Sequence, residues 1–139
     1  MQSVRDEDGT PYLLVKRSSE SSLVRDPATG EERYVPNDDL RSDGESPLSA
    51  AADGLPPELR RAVLACRDER VLGLLVEFAD RGALSVRTLL DSYDLCESDL
   101  HGLLAEFRAA GLLAETTVAG ERGYEPTDEA LDVVERFRD

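Results

Sequence analysis

The spacing of apolar positions divides the chain into a strand-like first third and a helical remainder. Near the start, Tyr12-Leu13-Leu14-Val15 is a short apolar run that ends in Lys16-Arg17, and Ser18 to Ser21 has turn composition. Ser22-Leu23-Val24-Arg25 follows as a second run. Asp26-Pro27-Ala28-Thr29-Gly30 places proline early and glycine last in a tight turn, and Glu31 to Val35 is a third run stopped by Pro36. Runs this short, punctuated in this way, predict an antiparallel β-meander. Three short strands bury too little apolar surface to stand alone, so the sheet is expected to lean on the helical part or on a second subunit. Met1 to Gly9 is polar and charged and reads as a frayed end; Asn37 to Leu40 reads as a single helical turn, and Arg41 to Gly54, rich in Ser, Asp, Gly, Pro and Ala, as a linker.

From Pro57 the period becomes helical. Leu59, Ala62, Val63 and Cys66 share one face, and Val71, Leu72, Leu75, Phe78 and Ala79 continue an apolar stripe to a cap at Gly82. Pattern alone leaves open whether residues 57–81 are one bent helix or two, with Asp68 a candidate restart. Ser85 is a good N-cap for a short helix carrying Val86, Leu89 and Leu90, and Asp94-Leu95 supplies a turn. Cys96 to Asp99 has the form of a capping box with cysteine in the serine place, ahead of Leu100, Leu103, Leu104 and Phe107 and a closing Gly111. Leu112 to Val118 reads as a strand, Ala119 to Gly123 as a turn, and Tyr124 as the start of a return strand. Thr127-Asp128-Glu129 caps a last helix whose Ala130, Leu131, Val134 and Phe137 are expected to face inward. The expected fold is α+β, with a meander over 1–40, a linker over 41–54 and a helical domain with a β-hairpin over 55–139.

The stretch from Ser85 to Thr127 thus runs helix, turn, helix, hairpin, helix cap. With Ala110-Gly111-Leu112-Leu113, the Gly120-to-Gly123 tip and Tyr124-Glu125-Pro126-Thr127-Asp128-Glu129-Ala130, it resembles the winged helix-turn-helix domains of MarR-like, PadR-like and ArsR-like transcription regulators. The resemblance covers about half of the chain. It implies double-stranded DNA as partner, a reading helix in the second helix of the motif, between the Cys96 cap and Gly111, a homodimer built through the terminal helix and the helix from Pro57, and phosphate contacts from Arg87, Arg108 and Arg122. An acidic Glu121 beside Arg122 departs from the basic wing common in those families.

Helical phase puts Ser98, His101, Gly102, Ala105 and Ala109 opposite the leucine face of that helix. Small side chains there would let the backbone approach a major groove, with Ser98 and His101 offering hydrogen bonds to base edges or phosphates. The same stripe equally suits packing against a protein helix, and Glu97, Asp99 and Glu106 flank it. The expected function is therefore a DNA-binding transcription regulator, with an acidic protein-interaction adaptor as the alternative.

Charge changes the picture further. The net charge is −14, from 16 basic and 30 acidic residues, and Lys16 is the sole lysine. Carboxylates are spread through every segment. This composition resembles that of haloarchaeal proteins and implies a protein active in high salt, where the Debye length falls from about 8 Å to about 3 Å and a global negative field no longer forbids contact with phosphates. Cys66 and Cys96 are too few for a disulfide framework; Cys96 at a helix start admits a redox role, though a cap residue is the plainer reading. His101 with Cys96 lacks a third ligand at a recognised spacing, so no metal is expected. Neither a nucleophile–base pair nor a glycine-rich phosphate cradle is present, so neither catalysis nor a cofactor is expected. No run approaches about 20 apolar residues and the start lacks a secretory core, which makes the cytoplasm the expected compartment.

Overall fold

The computed structural model describes residues 1–139 and is α+β, with six α-helices and two antiparallel sheets. The chain divides into two compact units, Met1–Arg60 and Arg61–Asp139.

The first unit holds strands β1 (Gln2–Arg5), β2 (Pro11–Arg17), β3 (Ser21–Arg25), β4 (Glu32–Pro36) and β5 (Arg41–Ser42), and helix α1 (Pro47–Asp53). The expected meander is β2-β3-β4, and the sheet extends it to the order β4-β3-β2-β1-β5. Two expectations are corrected here. The start is not frayed: β1 pairs antiparallel with β2, Val4 opposite Tyr12, and Ser3 and Val4 are buried. Its charged neighbours are used in the turn, where Asp6 Oδ1 accepts from the backbone N–H groups of Asp8 and Thr10 at 3.0 and 2.9 Å. Nor is the segment after Leu40 a plain linker, since β5 pairs with β1 and α1 packs on β1 and β2. Arg5 Nε donates to Asp43 Oδ1 at 2.8 Å, and that bond holds the Asp43 carboxyl below the usual carboxylate range. The core of this unit is Val4, Tyr12, Leu14, Val24 and Val35 with Leu40 against it. Added strands and a helix of its own thus supply the cover that three strands lack. Asn37–Asp39 forms the expected single turn, as a 3-10 helix.

Residues 57–81 are two helices, α2 (Pro57–Ala65) and α3 (Glu69–Arg81), because the Asp68 carboxylate accepts from the Val71 N–H at 3.0 Å and restarts the helix. The boundary between the units falls within α2. The second unit continues with β6 (Leu84–Ser85), α4 (Val86–Ser92), α5 (Glu97–Ala109), β7 (Leu113–Val118), β8 (Glu121–Pro126) and α6 (Asp128–Arg138). Its sheet has the order β6-β8-β7.

Local chemistry accounts for each junction. Ser85 Oγ accepts from the Thr88 N–H at 3.1 Å and starts α4. Gly111, at φ 78°, ends α5 in a Schellman motif: its own N–H bonds to the Arg108 carbonyl at 3.0 Å and the Leu112 N–H to that of Phe107 at 2.9 Å. Thr127 Oγ1 donates to the Gly111 carbonyl at 2.7 Å and accepts from the Ala130 N–H at 3.2 Å, so one side chain ties the end of α5 to the start of α6. The hairpin turn is Ala119-Gly120 alone, with both residues at positive φ, as a two-residue type I′ connection requires. Gly123 lies inside β8, where an added Cβ would stand 2.7 Å from the Leu84 carbonyl oxygen, so only glycine lets β6 and β8 approach.

The core of the second unit includes Leu75, Phe78, Leu89, Leu100, Leu104, Phe107, Leu112 and Val133, all essentially inaccessible. The inward face of α6 is Ala130, Val133 and Val134; Leu131 and Phe137, expected inside, are 42% and 47% exposed. Val63, Leu72 and the neighbouring Leu64 also point outward. Arg138 at the end of α6 donates twice to Asp80 of α3, at 2.9 and 2.8 Å, and these bonds hold the Asp80 carboxyl below its ordinary range.

Candidate functional site

α5 turns Leu100, Leu103, Leu104 and Phe107 into the core, and this sets what it shows outward. Ser98, Gly102, Ala105 and Ala109 are exposed and His101 is half-buried, as helical phase predicts. Nothing lies within 4 Å of a Cβ built on Gly102. The stripe has no intramolecular cover, and only His101 among its members meets a charge, its Nε2 lying 3.7 Å from Glu97 Oε1.

The flanking arginines stand differently from their expected roles as free phosphate contacts. Arg87, the second residue of α4, has its Nε 3.1 Å from Glu121 Oε1. Arg108, in the last turn of α5, and Arg122 both donate to Glu115 Oε1, at 3.1 and 2.8 Å. Arg122 also donates to the Tyr124 hydroxyl at 2.9 Å and lies 5.7 Å from that ring's centroid. Arg122 is not in the hairpin turn, where the sequence pattern puts it: it is the second residue of β8, opposite Thr117, and the turn ended two residues earlier. Its displacement from the tip is what brings it to Glu115, because Glu115 pairs with Tyr124 and the two strands present Glu115, Thr117, Arg122 and Tyr124 on one face.

The structure therefore joins Arg108 to Arg122 through Glu115, and Arg87 to the hairpin through Glu121, while the small-residue stripe of α5 stays open between charged neighbours. Glu115, and the pairing of Glu121 with Arg87, are what sequence reasoning missed. The available signal was a carboxylate two strand positions from an arginine across a hairpin, readable only once the turn is known to be two residues long.

Cys96 is the N-cap residue of α5, yet its side chain makes no capping bond; its Sγ lies 3.5 Å from Ser98 Oγ. The capping box read from the sequence is not formed, since sulfur is a weak acceptor. Serine has the better acceptor, so Cys96→Ser is expected to stabilise the second unit by about 0.5–1 kcal/mol, seen as a higher urea midpoint at unchanged m value. Cys66 is half-buried, and burial, with Asp68 adding to it, pushes its thiol pKa up, which disfavours thiolate chemistry.

Elsewhere in this unit a cavity of about 520 Å³ lies between α3 and the α4–α5 turn, lined by Arg70, Glu77, Tyr93 and Leu95 among others. Its Tyr93, Glu77 and Arg70 side chains already have partners: the Tyr93 hydroxyl donates to Glu77 Oε1 at 2.6 Å and accepts from Arg81 Nη1 at 2.7 Å, and Arg70 donates to the Asp94 carbonyl. No three His, Cys, Asp or Glu side chains are grouped as a metal site. No helix is long and apolar enough to cross a membrane.

Residues 1–138 match the model of a family of unknown function (DUF7346), and the protein belongs to that family. No curated protein and no solved structure matches it.

Proposed function

We propose that the protein is a DNA-binding transcription regulator whose second unit is a winged helix-turn-helix, α4-turn-α5 being the reading element and β7-β8 the wing. The order α3-β6-α4-α5-β7-β8-α6, with β6 paired beside the hairpin, supports this reading. One observation carries the choice of ligand: the outer face of α5 is small, exposed and free of intramolecular cover along Ser98, Gly102 and Ala105, which suits close approach to a major-groove floor. A second copy of the chain is the proposed partner, covering Leu131 and Phe137 of α6, both left exposed. No cofactor is part of the proposal. The test is selection of fragments from a random duplex library in molar KCl by folded full-length protein. Enrichment of a common motif is the expected result, and recovery of no motif counts against the reading.

A protein-interaction adaptor is the second reading, and the pairing of Arg87, Arg108 and Arg122 with carboxylates favours it. With Glu97, Asp99 and Glu106 exposed on α5, that surface is anionic at contact range. A protein partner captured on the Ser98–Ala105 stripe, in the absence of any motif from the duplex library, would select it.

High-salt activity is part of the proposal. With a net charge of −14, self-repulsion among carboxylates destabilises the compact state in dilute buffer and is screened in molar KCl. The melting temperature is expected to rise by roughly 4–8 °C for each kcal/mol of repulsion so removed. A circular-dichroism melt that is the same in dilute buffer and in molar KCl would remove halophilic adaptation from the account.

A further inference from the structure

Arg108 and Arg122 come from different elements, the end of α5 and the second residue of β8, yet both point at a single atom, Glu115 Oε1. Two guanidinium groups converging on one oxygen is the donor arrangement that binds a phosphate oxygen, because planar N–H forks match tetrahedral and carboxylate oxyanions alike. Here a carboxylate of the protein occupies the position. The sheet register places it there: Glu115 is held opposite Tyr124, and the same Arg122 nitrogen, Nη2, that donates to Glu115 also donates to the Tyr124 hydroxyl, which fixes that end of the guanidinium. All three charged side chains are half-exposed, at 49%, 60% and 45%, so the pairs are weak and a partner can be exchanged from solvent.

We propose that Glu115 is an internal counter-anion of an oxyanion site formed by Arg108 and Arg122, and that a DNA backbone phosphate binds there by displacing it. This rests on the DNA-binding reading of α5. Its consequence is specificity. In molar salt the Debye length is about 3 Å, so net charge no longer keeps the protein off arbitrary polyanions and only contact-range interactions discriminate. A phosphate that must expel Glu115 gains little by itself. It binds when base contacts along Ser98, Gly102 and Ala105 already hold the backbone in place, so Glu115 lowers non-specific binding more than specific binding.

The test compares Glu115→Gln, which keeps shape and removes charge, with Glu125→Gln. Glu125 is exposed on the same hairpin and has no arginine partner, so its variant controls for the change in net charge. Binding is read by fluorescence anisotropy in molar KCl on a random-sequence duplex and on the selected fragment. Glu115→Gln is expected to bind the random duplex about fivefold to tenfold tighter, with a smaller gain on the selected fragment and a salt dependence steeper by about one unit of log K per log [KCl]. Glu125→Gln is expected to change neither by more than about twofold. Adding Arg122→Gln to Glu115→Gln should cancel the gain. If wild type binds DNA and Glu115→Gln is no tighter on the random duplex than Glu125→Gln, the counter-anion is overturned while DNA binding stands. If wild type and Glu115→Gln are both folded by circular dichroism and neither binds any duplex, the DNA reading and the inference resting on it both fall.

Discussion

If α5 reads DNA as proposed, Gly102→Glu is expected to abolish specific binding, by about a hundredfold or more, and to leave the fold intact. The position is exposed in the middle of the outer face of α5 and nothing lies within 4 Å of an added Cβ, so the substitution does not disturb packing; replacing glycine inside a helix favours the helix slightly. The glutamate would project toward the groove floor and bring a carboxylate against base edges and phosphates. A hundredfold loss corresponds to about 2.7 kcal/mol, within the range of one or two lost base contacts plus charge repulsion. Arg122→Ala should fail in another way. On the proposed reading it removes a phosphate contact and leaves Glu115 with only Arg108, so it weakens the selected fragment modestly with a salt slope lower by about one, while the random duplex, whose phosphates Glu115 already keeps off the site, changes little. Anisotropy titrations of both variants in molar KCl, on the selected fragment and on a random duplex, separate the two patterns. Equal losses on both duplexes for Gly102→Glu would remove α5 as the reading helix.

Phe107→Ala is the second large effect, this time on stability. Phe107 is wholly buried on the inner face of α5, and its carbonyl accepts from the Leu112 N–H in the motif that ends the helix. Truncating a buried phenylalanine costs about 3–5 kcal/mol through lost transfer free energy and the cavity left behind. A domain of this size has about 5–15 kcal/mol in hand, so the variant should unfold at a much lower urea concentration. Leu64→Ala is the contrast, because Leu64 is 78% exposed on α2 and its truncation should stay within about 0.5 kcal/mol. Both are measured in molar KCl, where charge repulsion does not mask the difference. A midpoint for Phe107→Ala close to that of Leu64→Ala would mean that α5 is not packed as described.

Legibility from sequence followed the strength of local signals. Gly111, Ser85, Asp68 and Thr127 were readable as caps because each acts through a backbone bond within its own few residues, and all four do so here. The leucine face of α5 was equally clear, since four large apolar residues at helical spacing leave one choice of inward side. Weaker patterns misled. On α6, Leu131 and Phe137 lie within the apolar stripe, but the helix is rotated to bury Val133, and only packing against α3 and β8 decides that. On β1 a single buried valine among charges gives no period to detect.

The sequence by itself determined the order of helices and hairpin in the second unit, the caps at Asp68, Ser85, Gly111 and Thr127 and the face of α5 that points outward, because these depend on backbone hydrogen bonding and periodicity over a few residues; the two-residue strand β6 gives no such local signal. Tertiary structure decided what could not be local. Strand β1 exists because β2 and β5 pair with it on either side. Glu115 bridges two arginines because a two-residue turn sets the register of β7 against β8 and brings Arg122 of β8, and Arg108 seven residues before Glu115 on α5, to one carboxylate oxygen. Charge pairing across strands depends on register, and a shift of one residue would turn Glu115 to the opposite face of the sheet.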